Sequence, residues 1–87
     1  MVTRVLGRQQ GLIVRRTGDE LLILDTVKDQ IHQLNPSAAF IWEKLDEGLS
    51  DGDISQLLSV EFGIDDEVAR SDVAAAVARF RALGLIA

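Results

Sequence analysis

The segment Leu34-Asn35-Pro36-Ser37-Ala38-Ala39-Phe40-Ile41-Trp42 constrains the fold of this 87-residue chain more than any other. Asparagine is a strong N-cap because its side-chain oxygen accepts from a free N–H of the first helical turn. The proline after it takes the first helical position, where a missing N–H costs nothing. A strand therefore ends at Leu34 and a helix starts at Pro36 with no loop between them. Three strand-like runs lie upstream and three helix-like runs downstream, so the chain reads β-β-β-α-α-α.

Gly11 to Arg16 (GLIVRR) is a first strand, followed by the turn signal Thr17-Gly18-Asp19. Glu20 to Thr26 (ELLILDT) is a second strand with Leu21 and Ile23 on one face and Leu22 and Leu24 on the other. Apolar residues on both faces ask for cover on both. After Val27-Lys28-Asp29, the more polar Gln30–Leu34 (QIHQL) forms a third strand. Tight turns make this an antiparallel meander with the third strand at its edge.

The first helix runs to about Glu47 with the stripe Ala38, Ile41, Trp42 and Leu45, and Gly48 stops it. Ser50, with Asp53 three residues on, starts a second helix in a capping-box-like pattern. Its stripe is Ile54, Leu57, Leu58 and Phe62, and Gly63 ends it. The third helix starts in Asp65-Asp66-Glu67, where acids favour the positive end of the macrodipole. Its stripe is Ala69, Val73, Ala76, Val77, Phe80 and Leu83, with Gly84 as the stop and Leu85-Ile86 folding back onto the core. Residues 1–10 lack a period and read as a flexible N-terminal arm, and residues 11–87 as one α+β domain.

The residue inventory argues against catalysis. There is no cysteine, and His32 is the sole histidine, whereas a metal site needs three or four converging ligands. Ser37, Ser50 and Ser71 suit helix starts better than nucleophilic attack. The carboxylates fall at helix starts and on exposed faces, where nothing desolvates them for acid–base work. Gly7, Gly11 and Gly18 lack phosphate-binding spacing. No cofactor and no metal are expected. The net charge is −5, and residues 43–67 carry nine acids against Lys44 alone, which opposes nucleic-acid binding. Arg4, Arg8, Arg15 and Arg16 lie in the first sixteen residues with no acid among them. No stretch reads as a signal peptide or a membrane span, so a cytoplasmic protein without membrane contact is expected.

Binding surface remains. The edge strand Gln30–Leu34 can either accept an extended peptide or simply face water. On helix three, Ala74, Ala75, Ala78 and Ala82 lie opposite the core stripe. Asp72 and Arg79 border the stripe on one side, Arg70 and Arg81 on the other. Alanines admit another backbone, and they are also the best helix formers. Phe40 lies off the stripe of helix one, so it either anchors a partner or packs under the arm. The extra apolar face of the second strand calls for the arm, a second protomer or another partner.

The junction Leu34–Ala39, the following Ile41-Trp42-Glu43-Lys44-Leu45 with Gly48, Ile54–Leu58, Asp72-Val73 and the closing Leu83–Ile86 together resemble the PqqD-like proteins. Their fold is the RiPP recognition element, the leader-peptide-binding domain of ribosomally made, modified peptides. The resemblance covers roughly residues 11–87. It implies a winged-helix-like domain and a non-enzymatic peptide chaperone. The leader of a precursor peptide would add as a strand to Gln30, Ile31, His32, Gln33 and Leu34. Ala69, Val73, Ala76, Arg79 and Phe80 of helix three would line or support the groove beside it. The precursor would pass to a modifying enzyme: a radical S-adenosylmethionine enzyme in PQQ synthesis, or a leader peptidase and cyclase pair in lasso-peptide synthesis. Rival readings are an adaptor subunit that self-associates, as a homodimer, and docks on an enzyme, and a winged-helix nucleic-acid binder.

Overall fold

The computed structural model describes residues 11–86, so the expected N-terminal arm lies outside the described residues. Strands β1 (Leu12–Thr17), β2 (Glu20–Asp25) and β3 (Gln30–Leu34) form one antiparallel sheet in the order β1-β2-β3. Helices α1 (Pro36–Asp46), α2 (Asp51–Phe62) and α3 (Asp66–Ala82) follow. This is the expected α+β order, with element ends shifted by a residue or so.

Each turn has a local cause. Thr17 pairs with Glu20 across the two-residue loop Gly18-Asp19, and Gly18 takes φ +67°, which a side chain would resist. The β2–β3 turn is built on Asp25, whose carboxylate accepts the N–H groups of Val27 at 3.1 Å and Lys28 at 3.0 Å. These bonds satisfy Asp25 in place of water, which matters because the residue is only 4% exposed. At the strand–helix junction, Asn35 Oδ1 accepts the N–H of Ala38 at 2.9 Å. Ser50 Oγ accepts the N–H of Asp53 at 3.1 Å and caps α2.

Leu21 and Ile23 of β2 and Leu34 of β3 face the helices. They meet Ile41 and Trp42 of α1, Ile54 and Leu58 of α2, and Val73 and Phe80 of α3 in one core. Trp42 packs edge-on against Phe80, with ring centroids 5.2 Å apart, and so ties α1 to α3.

The expected stripes need correction at their margins. On α1, Ala39 is buried, while Ala38 and Leu45 are half-buried, because this helix touches the sheet and both other helices and buries a wide arc. On α2, Ser55 is buried while Leu57 is exposed. The buried arc of α2 centres on Ile54 and Leu58, and Leu57 falls on its solvent side. Phe62 is on the inner side but ends the helix beyond the core, and stays partly exposed. On α3, Ala69, Val73, Val77 and Phe80 are buried, with Ala76 and Leu83 half-buried on one flank.

Candidate functional site: the open edge of β3

The sheet ladder determines which main-chain groups of β3 are free. Thr17 and Glu20 close a two-residue hairpin, so they exchange both hydrogen bonds, and alternate pairs along β1 and β2 repeat this. The residues between them on β2, namely Leu21, Ile23 and Asp25, then bond toward β3, opposite Leu34, His32 and Gln30. Alternation turns the N–H and C=O of Ile31 and Gln33 away from the sheet. No strand pairs with that side of β3 among the described residues.

Side chains alternate the other way. Ile31, 69% exposed, and Gln33 project from the face of the sheet remote from the helices. There Gln33 Nε2 donates to Glu20 Oε1 at 2.7 Å. His32 shares the helix-side face with Leu34 and is half-buried. Its Nε2 is enclosed and has no hydrogen-bond partner among the described residues.

No Cα atom of β3 comes within 8 Å of a Cα atom of α3. Helix α1 touches both. The two are tied at one end, where Lys28 Nζ of the β2–β3 turn donates to Leu83 O at 3.3 Å, just past α3. A cation there also suits the negative end of the helix dipole. Asp25 and Lys28 thus hold the turn that leads into β3, and neither stood out in the sequence as a site residue. The signal for Asp25 was an aspartate followed by a short polar turn, the setting of an Asx-type bond.

The ten residues expected at the site divide by exposure. Leu34, Ala69, Val73 and Phe80 are each at most 2% exposed, so their side chains belong to the core and offer no contact surface. Gln30, Ile31, Gln33 and Arg79 are exposed, and His32 and Ala76 are half-buried. Phe40, read as an outward anchor or a residue under the arm, stacks edge-to-face on Phe62 of α2, centroids 5.7 Å apart, and the arm lies outside the described residues. Among the described residues, no group of three histidine or acidic side chains could hold a metal ion. No helix there is long and apolar enough to cross a membrane.

A sequence model of the family described as Coenzyme PQQ synthesis protein D (PqqD) matches residues 20–86, from the start of β2 to the end of the described chain. The chain belongs to the PqqD family. Two solved structures share the fold of this PqqD-family protein along nearly its whole length. One is a lasso peptide synthetase B1 complexed with the leader peptide, 29% identical with a TM-score of 0.85, covering 92% of this chain and 94% of that one. Another is TbiB1 in complex with the TbiA(beta) leader peptide, 17% identical with a TM-score of 0.84, covering 93% and 94%. At 17% identity that second likeness is one of fold. No curated protein matches the sequence.

Proposed function

We propose that this PqqD-family protein is a non-catalytic recognition element that binds the leader segment of a ribosomally made precursor peptide and presents it to a modifying enzyme. The observation that carries this reading is the unpaired side of β3, with the main-chain groups of Ile31 and Gln33 turned outward. It occurs in a fold shared with a B1 protein solved with a leader peptide. Strand addition draws affinity from main-chain hydrogen bonds and selectivity from the side chains beside them. The guest would lie in the space between β3 and α3. On α3, Ala76 and Leu83 are half-buried and Arg79 is exposed, so this flank is partly covered but not closed. The function would be exercised in the cytoplasm without a cofactor. The receiving enzyme would be a radical S-adenosylmethionine protein or a leader peptidase and cyclase pair.

The test is a titration of labelled protein with the leader of the precursor encoded beside it, followed by NMR. Saturable shifts are expected along β3 and α3. Gln33→Pro removes an outward N–H, a change an edge strand tolerates, so the fold is expected to persist while affinity drops by about tenfold or more. Undiminished binding by that variant would sink strand addition at this edge.

One observation favours a second reading, an adaptor that self-associates. Ile13 and Ile31 are 43% and 69% exposed on the sheet face away from the helices, beside half-buried Leu22 and Leu24. A tight dimer in sedimentation, broken by Ile31→Lys, would support that reading over leader binding at the free edge.

A further inference from the structure

A concavity of about 270 Å³ lies between the β1–β2 hairpin, the first half of α1 and the end of α2. Pro36 and the edge-to-face rings of Phe40 and Phe62 give it an apolar floor, and Asp19, Glu43 and Glu61 stand around it. Its volume falls below the roughly 300–1,000 Å³ of pockets that enclose whole cofactors or drug-sized ligands, and suits one long side chain.

The charges around it do not balance. Arg16 is spent on an ion pair with Glu43, and Lys44 pairs with Glu47 at 3.4 Å. Asp19 and Glu61 have no cation within ion-pairing distance among the described residues. Glu61 also lies in the last turn of α2, which carries no basic residue. An acid at the negative end of a helix is disfavoured by the macrodipole, so this corner holds negative potential that the described residues do not neutralise. The aromatic floor suits a cation as well, since Lys44 Nζ already lies 5.2 Å from the centroid of Phe40.

We propose that this pocket receives an arginine side chain from a second protein, the one that takes over the captured peptide. The identity of that partner rests on the function proposed above. The pocket's preference for arginine does not. Arginine fits better than lysine because its planar guanidinium stacks on an aromatic face and forks toward carboxylates, while its stem covers apolar floor. None of the residues lining the pocket belongs to β3 or α3.

The experiment is an NMR titration with N-acetyl-arginine N-methylamide, with the uncharged N-acetyl-citrulline N-methylamide as control. Saturable shifts are expected at Asp19, Phe40, Glu61 and Phe62, at least about fivefold weaker with citrulline. The exposed pair Asp19→Asn with Glu61→Gln should lose the arginine response and keep a native spectrum. Equal responses to arginine and citrulline would overturn the proposal. So would shifts spread evenly over the acidic start of α3, which would mean bulk charge alone. Leader peptide added to the same double variant should bind at β3 as before, so failure of leader recognition and failure of the pocket are read separately. If the leader itself displaced arginine from the pocket, the occupant would be the guest and not a second protein.

Discussion

Asp25 shows what single residues contribute beyond packing. Its carboxylate is nearly inaccessible and serves two turn N–H groups. Asp25→Ala strands both donors and is expected to cost about 1–3 kcal/mol in urea unfolding. Asp25→Asn keeps an acceptor oxygen and should cost clearly less. Gly84 has φ +74°, and a side chain there would press on Lys28 Nζ, the group that reaches Leu83. Gly84→Ala should therefore destabilise by about 1 kcal/mol or more and loosen the tie between the β2–β3 turn and α3. The Arg16–Glu43 pair, exposed on both sides, should matter little, within about 1 kcal/mol in a double-mutant cycle.

At the level of elements, the boundaries were the legible part. Asn35 and Ser50 have the short oxygen-bearing side chains that caps require, and both make the cap bond. Ser50→Ala should cost about 1 kcal/mol. Asp65 precedes α3 as the acidic run suggested, yet its side chain makes no cap bond. Its substitution by alanine should thus cost only the dipole term, roughly 0.3–1 kcal/mol, and that part should shrink with salt. Comparing the two variants by chemical denaturation at low and high salt separates the mechanisms. Less legible were the faces of α2. A helical period places Leu57 in a stripe as readily as Ser55, and only the positions of α1 and α3 decide which one is covered. The Phe40–Phe62 contact was hidden for the same reason, since it joins residues of two helices whose relative placement no local pattern encodes. The edge position of β3 followed from the tight turns, but the division of its neighbours into core and surface needed the three-dimensional packing of Leu34, Val73 and Phe80.

For the molecule as a whole, Trp42 is a convenient reporter. It is the sole tryptophan and 2% exposed, seated between sheet and helices. Its fluorescence and far-ultraviolet circular dichroism should change together on unfolding if one core holds all six elements, and separate midpoints would show that sheet and helices melt apart. Leader peptide at a hundred times its Kd should raise the unfolding free energy by about 2.7 kcal/mol, and Gln33→Pro, with a Kd about tenfold weaker, should lose about half of that gain. The brevity of β3 has a further consequence. Five residues span about 17 Å, and Pro36 turns the chain into α1 directly afterwards, so a guest strand added to β3 would be gripped over a similar length at most. Everything beyond that grip is leash. Ten flexible residues reach roughly 17 Å on average, and a target at the end of such a leash meets an enzyme held nearby at an effective concentration in the millimolar range. The rate of modification would then depend on how long the leash is, and lengthening it would dilute the target even with the grip unchanged.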